Sequence, residues 1–215
     1  MRNTFLARLS WSIRVAALAA LSASCGEVAR TGRSPVLLVI DSLEAASGAQ
    51  PDAFGNVLFS DVETLVEQQL NGQTVRVPTT YSDMGRATFH LTLKNPGTAT
   101  SPLGPSALND VTITRYRVRF RRADGRNTPG VDVPHAFDGA ATVTIRASGE
   151  AAVSFAIVRH QAKIEPPLSS LQRGGGANML STIAEVEFYA RDQAGNAIVT
   201  TGLISVNFGD FGDPP

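Results

Sequence analysis

The chain has 215 residues, of which 43% are hydrophobic and 18% charged, with 19 glycines and 12 prolines. This composition excludes a mostly disordered chain, which would be rich in charge and poor in apolar residues. The length favours one domain or two small ones. The formal net charge is zero, so it gives no electrostatic basis for binding nucleic acid. No apolar run approaches the length of about 18 residues that a transmembrane helix requires.

The first 24 residues have the order of a secretory signal peptide. Residues 1–14 carry three arginines and no acid, residues 15–21 form a short apolar run, and small residues 22–24 follow. A positive segment, an apolar segment and a small-residue cleavage site in this order direct a chain to export. The sequence therefore predicts that residues 1–24 are removed and that the remaining chain leaves the cytoplasm.

Residues 21–25 (LSASC) resemble the lipobox of bacterial lipoprotein signals, in which the final cysteine becomes the lipidated N-terminus. One position departs from that pattern, because Ser22 stands where the family has a large apolar residue and Leu21 lies one position earlier. The resemblance implies lipidation at Cys25. Gly26 in place of an aspartate implies anchoring at the outer membrane, with the domain on its periplasmic or surface face. The alternative is ordinary secretion with Cys25 incidental.

The chain after the signal has no second cysteine, as suits an exported domain, and therefore no disulfide to support its core. Cleavage before Cys25 removes three arginines and no acid, leaving 16 basic and 19 acidic residues. We expect residues 25–34 to be a tether, residues 35–208 one domain, and residues 209–215 a loose tail. A chain of this size buries on the order of 70% of its unfolded surface, enough for a core without disulfides.

The first half of the domain contains one clear strand and one ambiguous segment. Residues 36–40 (VLLVI) are continuously apolar and predict a buried strand. Residues 60–63 fit a capping box, and the apolar spacing over 62–70 fits a helix. However, Asn71-Gly72 lies between two runs, and this dipeptide is the strongest short-range hairpin signal. We therefore predict a hairpin over residues 56–78, with the helix as the alternative.

The second half alternates between apolar and polar residues. Strands are predicted around residues 89–93, 111–120, 143–145, 153–157, 184–190 and 198–208. A change of phase at Thr114-Arg115 predicts a β-bulge. The count is eight to ten strands with at most one short helix. This pattern indicates an all-β chain folded as an antiparallel β-sandwich.

Residues 186–196 (VEFYARDQAGN) resemble the F strand and F–G turn of fibronectin type III and bacterial immunoglobulin-like domains. Residues 116–120 (YRVRF) resemble their C strand. The resemblance implies an immunoglobulin-like β-sandwich over residues 111–208, although Ala184 occupies the position of the usual tyrosine corner. The whole chain also resembles uncharacterised bacterial lipoproteins, which implies no activity.

Motifs for catalysis or metal binding are absent from the sequence. The three histidines, His90, His135 and His160, have no partner at metal-ligand spacing, and they are expected to be polar residues of the surface. Calcium could bind aspartate-rich turns, but no alternating acidic run is present and aspartate is a common turn residue. These turn aspartates are Asp83, Asp124, Asp132, Asp138, Asp192, Asp210 and Asp213. We expect no metal and no cofactor.

Four arginines alternate along one predicted strand and therefore share one face of it. They are Arg115, Arg117, Arg119 and Arg121. Two interpretations remain open. In the first, the arginines pair across strands with acids such as Glu185 and Glu187, since the C and F strands are neighbours in an immunoglobulin-like sheet. Alternatively, they bind an anionic glycan, a lipid headgroup or an acidic partner.

The sequence favours a lipid-anchored cell-envelope protein with a non-catalytic binding or structural role. The alternative is an exported domain that binds carbohydrate or another polysaccharide. A glycan binder should present exposed aromatic rings, for which Tyr81, Tyr116 and Tyr189 are the tyrosine candidates. A module that binds an envelope protein should show an exposed apolar patch or an open edge strand. An enzyme should show a polar cleft with perturbed acids.

Overall fold

The computed structural model describes residues 32–173 and 178–211. The predicted signal, Cys25, most of the tether, the glycines at 174–176 and residues 212–215 lie outside the described residues. The described chain consists mainly of strands with one short helix, which confirms the all-β class. It contains twelve strands, more than the eight to ten expected. None of its helices has the length and apolar character needed to cross a membrane.

The strands are numbered in chain order. The first six are β1 (Val36–Ala46), β2 (Val57–Asp61), β3 (Thr64–Leu70), β4 (Gln73–Thr79), β5 (Asp83–Leu93) and β6 (Gly97–Thr98). The last six are β7 (Ser101–Pro102), β8 (Val111–Arg121), β9 (Phe137–Ile145), β10 (Glu150–Val158), β11 (Leu180–Asp192) and β12 (Ala197–Gly209). Helix α1 is His160–Ile164, and short 3₁₀ turns span Ala107–Asn109 and Leu168–Leu171.

Two sheets carry the fold. The smaller sheet has the order β1-β5-β10 and is antiparallel throughout. The larger sheet has the order β2-β12-β11-β8-β9, in which β2 runs parallel to β12 and the other pairs are antiparallel. The remaining strands form two small hairpins, β3–β4 and β6–β7. The strand count exceeds the prediction because β2, β6 and β7 were not predicted.

The core lies between the inner faces of the two sheets. Phe89 of β5 meets Phe188 of β11 edge to face, with ring centroids 4.9 Å apart, and Phe188 also meets Phe155 of β10 at 5.3 Å. Residues that the alternation assigned to one face, such as Val118 and Val186, are fully buried. The strand period of two therefore identified the buried face of the central strands correctly.

Residues 64–79 form the hairpin predicted from Asn71-Gly72. Both turn residues have positive φ, 52° and 79°, as a tight turn between twisted strands requires. The helical alternative is wrong. Ser60, which would have capped that helix, instead lies in β2 and donates its hydroxyl to the Asp83 carboxylate at 2.6 Å.

The predicted β-bulge is confirmed at Thr114. On the β11 side the register moves from Ile113 opposite Ala190 to Arg115 opposite Tyr189, which leaves Thr114 as the extra residue of β8. The extra residue lets Ile113 and Tyr116 both point into the core although they are three positions apart. The four alternating arginines follow the bulge, so their side chains all project from the outer face of the sheet.

Candidate functional site

The four arginines predicted as a binding face lie on the outer face of the larger sheet, on strand β8. Register places Arg119 opposite Glu185 and Arg117 opposite Glu187 of the neighbouring strand β11. Cross-strand partners on one face stand close enough for their side chains to interact. The predicted acids therefore do oppose the arginine row.

Arg119 is held by two carboxylates. Its Nη2 lies 3.0 Å from Oε1 of Glu185 and 3.4 Å from Oε1 of Glu187. Arg121 is 69% exposed, and its Nη1 lies 3.7 Å from Oε2 of Glu185. These contacts agree with the first of the two interpretations, in which the arginines pair across strands with acids. It removes much of the basis for a free anion site at Arg119.

The other end of the row is held by an aromatic ring. The Arg115 guanidinium lies 4.0 Å above the centre of the Tyr189 ring, within the range of a cation–π contact. The Tyr189 hydroxyl donates to Oε2 of Glu187 at 2.9 Å. Burial and the adjacent carboxylate both raise the pKa of this phenol, so it stays a neutral donor. Arg115, Arg119 and Arg121 thus have partners on β11, whereas Nε of Arg117 has no hydrogen-bond partner among the described residues. We call the four arginines with Glu185, Glu187 and Tyr189 the ladder.

Beside the ladder, the same outer face carries a strip of exposed apolar side chains that the sequence did not single out. We call it the apolar strip. Leu203 is 66% exposed and Phe59 is 54% exposed, and the others are also exposed. Its members are Val57, Phe59, Ile183, Val199 and Leu203.

Strand pairing makes most of the strip contiguous, although Thr201 lies between Val199 and Leu203 on the same face. Val199 and Leu203 share the outer face of β12, and Ser205 on that face is flanked by Ile183 of β11 and Val57 of β2. Phe59 pairs with Asn207 of β12, and the eight residue steps from Val199 to Asn207 span about 26 Å. Contiguous apolar exposure on a folded domain is a mark of an interaction surface.

A signal for the strip was present in the sequence. Residues 198–208 are apolar at several positions of both phases, whereas a strand with one solvated face alternates cleanly. Ile198 and Ile204 are buried, while Val199 and Leu203 point outward. The pattern shows that both faces of the strand are apolar, but sequence alone does not say which face the core covers.

A small pocket lies between the segment before β9 and helix α1. It has a volume of about 160 Å³, and His135, Arg159 and Glu165 are among its lining residues. Arg159 is already engaged, because its guanidinium lies 4.0 Å above the Phe137 ring and also donates to the Asp138 carbonyl. The arginine of this pocket therefore already has partners within the chain.

Two histidines contact hydroxyl groups at the surface. Nδ1 of His90 lies 2.6 Å from a carboxylate oxygen of Asp41, and its Nε2 lies 3.2 Å from the Thr92 hydroxyl. Nδ1 of His160 lies 3.4 Å from the Ser82 hydroxyl. His90 and Asp41 are open to solvent on the strand surface, so these contacts satisfy exposed polar groups, as predicted for His90. Within residues 32–173 and 178–211, no cluster of three or more metal-ligating side chains is found.

The most heavily buried charges of the described chain were missed by the sequence reasoning. Lys163 of α1 is 1% exposed and Asp83, the first residue of β5, is 0% exposed. The Lys163 ammonium donates to Oδ1 of Asp83 at 2.7 Å and to the Asp61 carbonyl at 2.7 Å. Asp83 was expected in a turn, and this prediction is wrong because Asp83 begins β5 and is buried there. Its carboxylate also accepts the Ser60 hydroxyl and the Gly48 N–H. This pair ties α1 to the end of the two sheets where β2 stops and β5 starts.

The tyrosines do not assemble an aromatic groove. Tyr116 is buried in the core, where burial raises the pKa of its phenol. Tyr189 is covered by Arg115, and Tyr81 alone of the three is exposed. The surface best suited to contact another molecule is therefore the apolar strip with its neighbouring ladder. Comparison of the chain with family models, curated proteins and solved structures found no match.

Proposed function

We propose that this protein is a lipid-anchored cell-envelope protein with a non-catalytic binding or structural role. The observation that carries the binding role is the apolar strip, whose exposed members include Leu203 and Phe59. The anchor is supported by the signal-like residues 1–24 and by Cys25, the single cysteine of the chain. Together they describe a domain tethered to a membrane with one sheet face open for contact.

The strand order supports an immunoglobulin-like topology for this domain. The larger sheet places β9, β8, β11 and β12 side by side, an order that matches C′-C-F-G if β8 is the C strand and β11 the F strand. The smaller sheet, β1-β5-β10, then corresponds to A-B-E. The resemblance stated for residues 116–120 and 186–196 assigns the same two strands. The two small hairpins are insertions in this scheme.

The apolar strip favours contact with an apolar partner over carbohydrate binding. Sugar-binding faces use aromatic rings exposed on a groove or platform, whereas Tyr116 is buried and Tyr189 lies under Arg115. The members of the strip are four aliphatic side chains and one phenylalanine. Such side chains gain free energy by leaving water rather than by hydrogen bonding to sugar hydroxyls.

The anchor is tested by metabolic labelling with palmitate in a bacterial host that processes lipoproteins. Wild type should incorporate the label and sediment with membranes, and the Cys25→Ala variant should incorporate none. The Ser24→Ala variant is the matched control, since a small residue beside the cysteine keeps the cleavage pattern. Wild type without label, released in the same form as Cys25→Ala, would contradict the anchor and favour simple secretion.

A further inference from the structure

We propose that the apolar strip rests on the lipid surface that holds the anchor, so that the domain lies flat against the membrane. This inference rests on the proposed lipid anchor and adds which face of the domain meets the bilayer. Three observations on the described residues carry it: where the tether enters the domain, the chemistry of the strip, and the charge beside it.

The tether enters at the end of the sheet where the strip starts. The Ser34 side chain is buried and hydrogen-bonds the Asp192 carboxylate at the β11–β12 turn. Val199, the first member of the strip along β12, pairs with Tyr189 of β11. Tyr189 is three residues before Asp192, so the strip begins about 10 Å from the point where Ser34 contacts the sheet. From Cys25 to Ser34 an extended chain spans at most about 30 Å. The anchor therefore holds the strip within reach of the bilayer.

The strip suits insertion among lipid headgroups and the upper part of the acyl chains. Its side chains project from β2, β11 and β12 over about 26 Å. The residues among them on β12, Thr201, Ser205 and Asn207, are polar but uncharged. Interfacial surfaces of peripheral proteins gain binding free energy from buried apolar area of this kind. The attached acyl chain supplies a high local lipid concentration, so a modest contact suffices to orient the domain.

The charges beside the strip complement an anionic membrane. The outer face of β8, β11 and β9 carries five arginines against three acids. The arginines are those of the ladder and Arg191, and the acids are Glu185, Glu187 and Asp138. The remaining excess of positive charge attracts anionic headgroups. Arg121, at 69% exposure, has an apolar stem and a charged end, which suits the headgroup layer.

The experiment places a fluorophore on the strip of the anchored protein. Once Cys25 is acylated its thiol is blocked, so Leu203→Cys provides a unique site for an environment-sensitive dye. The control is Ser154→Cys, an exposed position on the outer face of the smaller sheet, paired with Arg86. Both proteins are reconstituted in protein-free vesicles of phosphatidylethanolamine and phosphatidylglycerol, some of which contain nitroxide-labelled lipid.

The dye at position 203 should shift its emission to shorter wavelength and be quenched by the nitroxide lipid, while the dye at position 154 should show neither effect. Solvent-like emission at both positions, in protein whose mass shows the acyl chains, would overturn the docking proposal and leave the anchor standing. If the emission of the dye at position 203 shifts in cell membranes but not in protein-free vesicles, the lipid-docking proposal is overturned in favour of a protein partner. If the mass shows no acyl chain, the anchor itself fails. In that case Cys25→Ala is combined with Leu203→Cys or with Ser154→Cys, and the labelled proteins are added to the same vesicles. Lipid docking is retained only if the emission of the dye shifts at position 203 and not at position 154.

Discussion

Replacement of Lys163 by methionine tests whether the buried ion pair between Lys163 and Asp83 stabilises the fold. The ammonium of Lys163 lies 2.7 Å from the Asp83 carboxylate, and both side chains are shielded from water. Methionine fills a similar length of apolar stem but leaves Asp83 buried without its counter-charge. The Asp61 carbonyl loses its donor at the same time. Burial already raises the pKa of Asp83 despite the neighbouring ammonium, so the loss of Lys163 will raise that pKa further.

The expected cost is large because one charge of a buried pair is left alone. Removing one partner of a buried ion pair typically lowers the free energy of unfolding by about 3–5 kcal/mol. The matched control is Arg76→Met on the β3–β4 hairpin, where Arg76 pairs with Glu67 at 3.4 Å and both side chains are more than half exposed. A pair of that kind contributes about 0–1 kcal/mol.

Urea unfolding at neutral pH, followed by circular dichroism, measures both variants against wild type. The double variant Lys163→Met/Asp83→Asn should lose less than the sum of its two single variants, since each single change strands a charge. Equal small losses for Lys163→Met and Arg76→Met would refute the claim that the buried pair is an important support of the fold. So would strict additivity in the double variant.

The same variant has a predicted pH dependence. A carboxyl whose pKa is raised in the folded state above its ordinary value of 3.8 favours folding in its protonated form. That stabilisation is complete below the ordinary value and is lost as pH rises through the raised one. The stability deficit of Lys163→Met relative to wild type should therefore shrink when the pH is lowered from about 7 to about 5. A deficit that widens over this range would contradict the assignment.

Two further predictions concern turns and packing. Burial raises the pKa of Asp192, but hydrogen bonds from Asn196 and Ser34 outweigh it and lower the pKa below 3.8. Asp192→Asn should therefore lower Tm at neutral pH, with the difference from wild type fading as pH falls below about 4; a pH-independent difference would contradict this. Gly85→Ala should cost about 1–3 kcal/mol in urea unfolding, because its methyl group would lie 2.5 Å from the Phe155 ring. Gly104→Ala, with open space around it, is the control and should cost far less.

Local patterns predicted the sheets because a strand has a fixed side-chain period. The alternation around Phe188 gave its buried face, and Asn71-Gly72 gave the hairpin, since both signals depend on near neighbours in the chain. The pairing of Arg119 with Glu185 also followed, once the strands around them were assigned as neighbours. These features needed no knowledge of distant contacts beyond one strand pairing.

The features that were missed depend on distant parts of the chain. Lys163 and Asp83 are 80 residues apart, and neither segment has a pattern that marks a buried charge. The apolar strip escaped notice for a different reason. Val199 and Leu203 look like core residues in the sequence, and only the packing of β1 against the other face of β12 shows that they point outward. Gly202 faces the opposite way, toward β1, where an added Cβ atom would lie 2.8 Å from the Leu43 side chain.

The mass of the intact protein extracted from bacterial membranes tests the central claim most directly. A lipid-anchored domain predicts loss of residues 1–24, a new N-terminus at Cys25, and added mass equal to the acyl chains of a bacterial lipoprotein. Peptide fragmentation should place that added mass on Cys25. A soluble protein cleaved at a nearby small residue, with a free thiol at Cys25 and no added mass, would contradict the account and describe a freely diffusing exported domain.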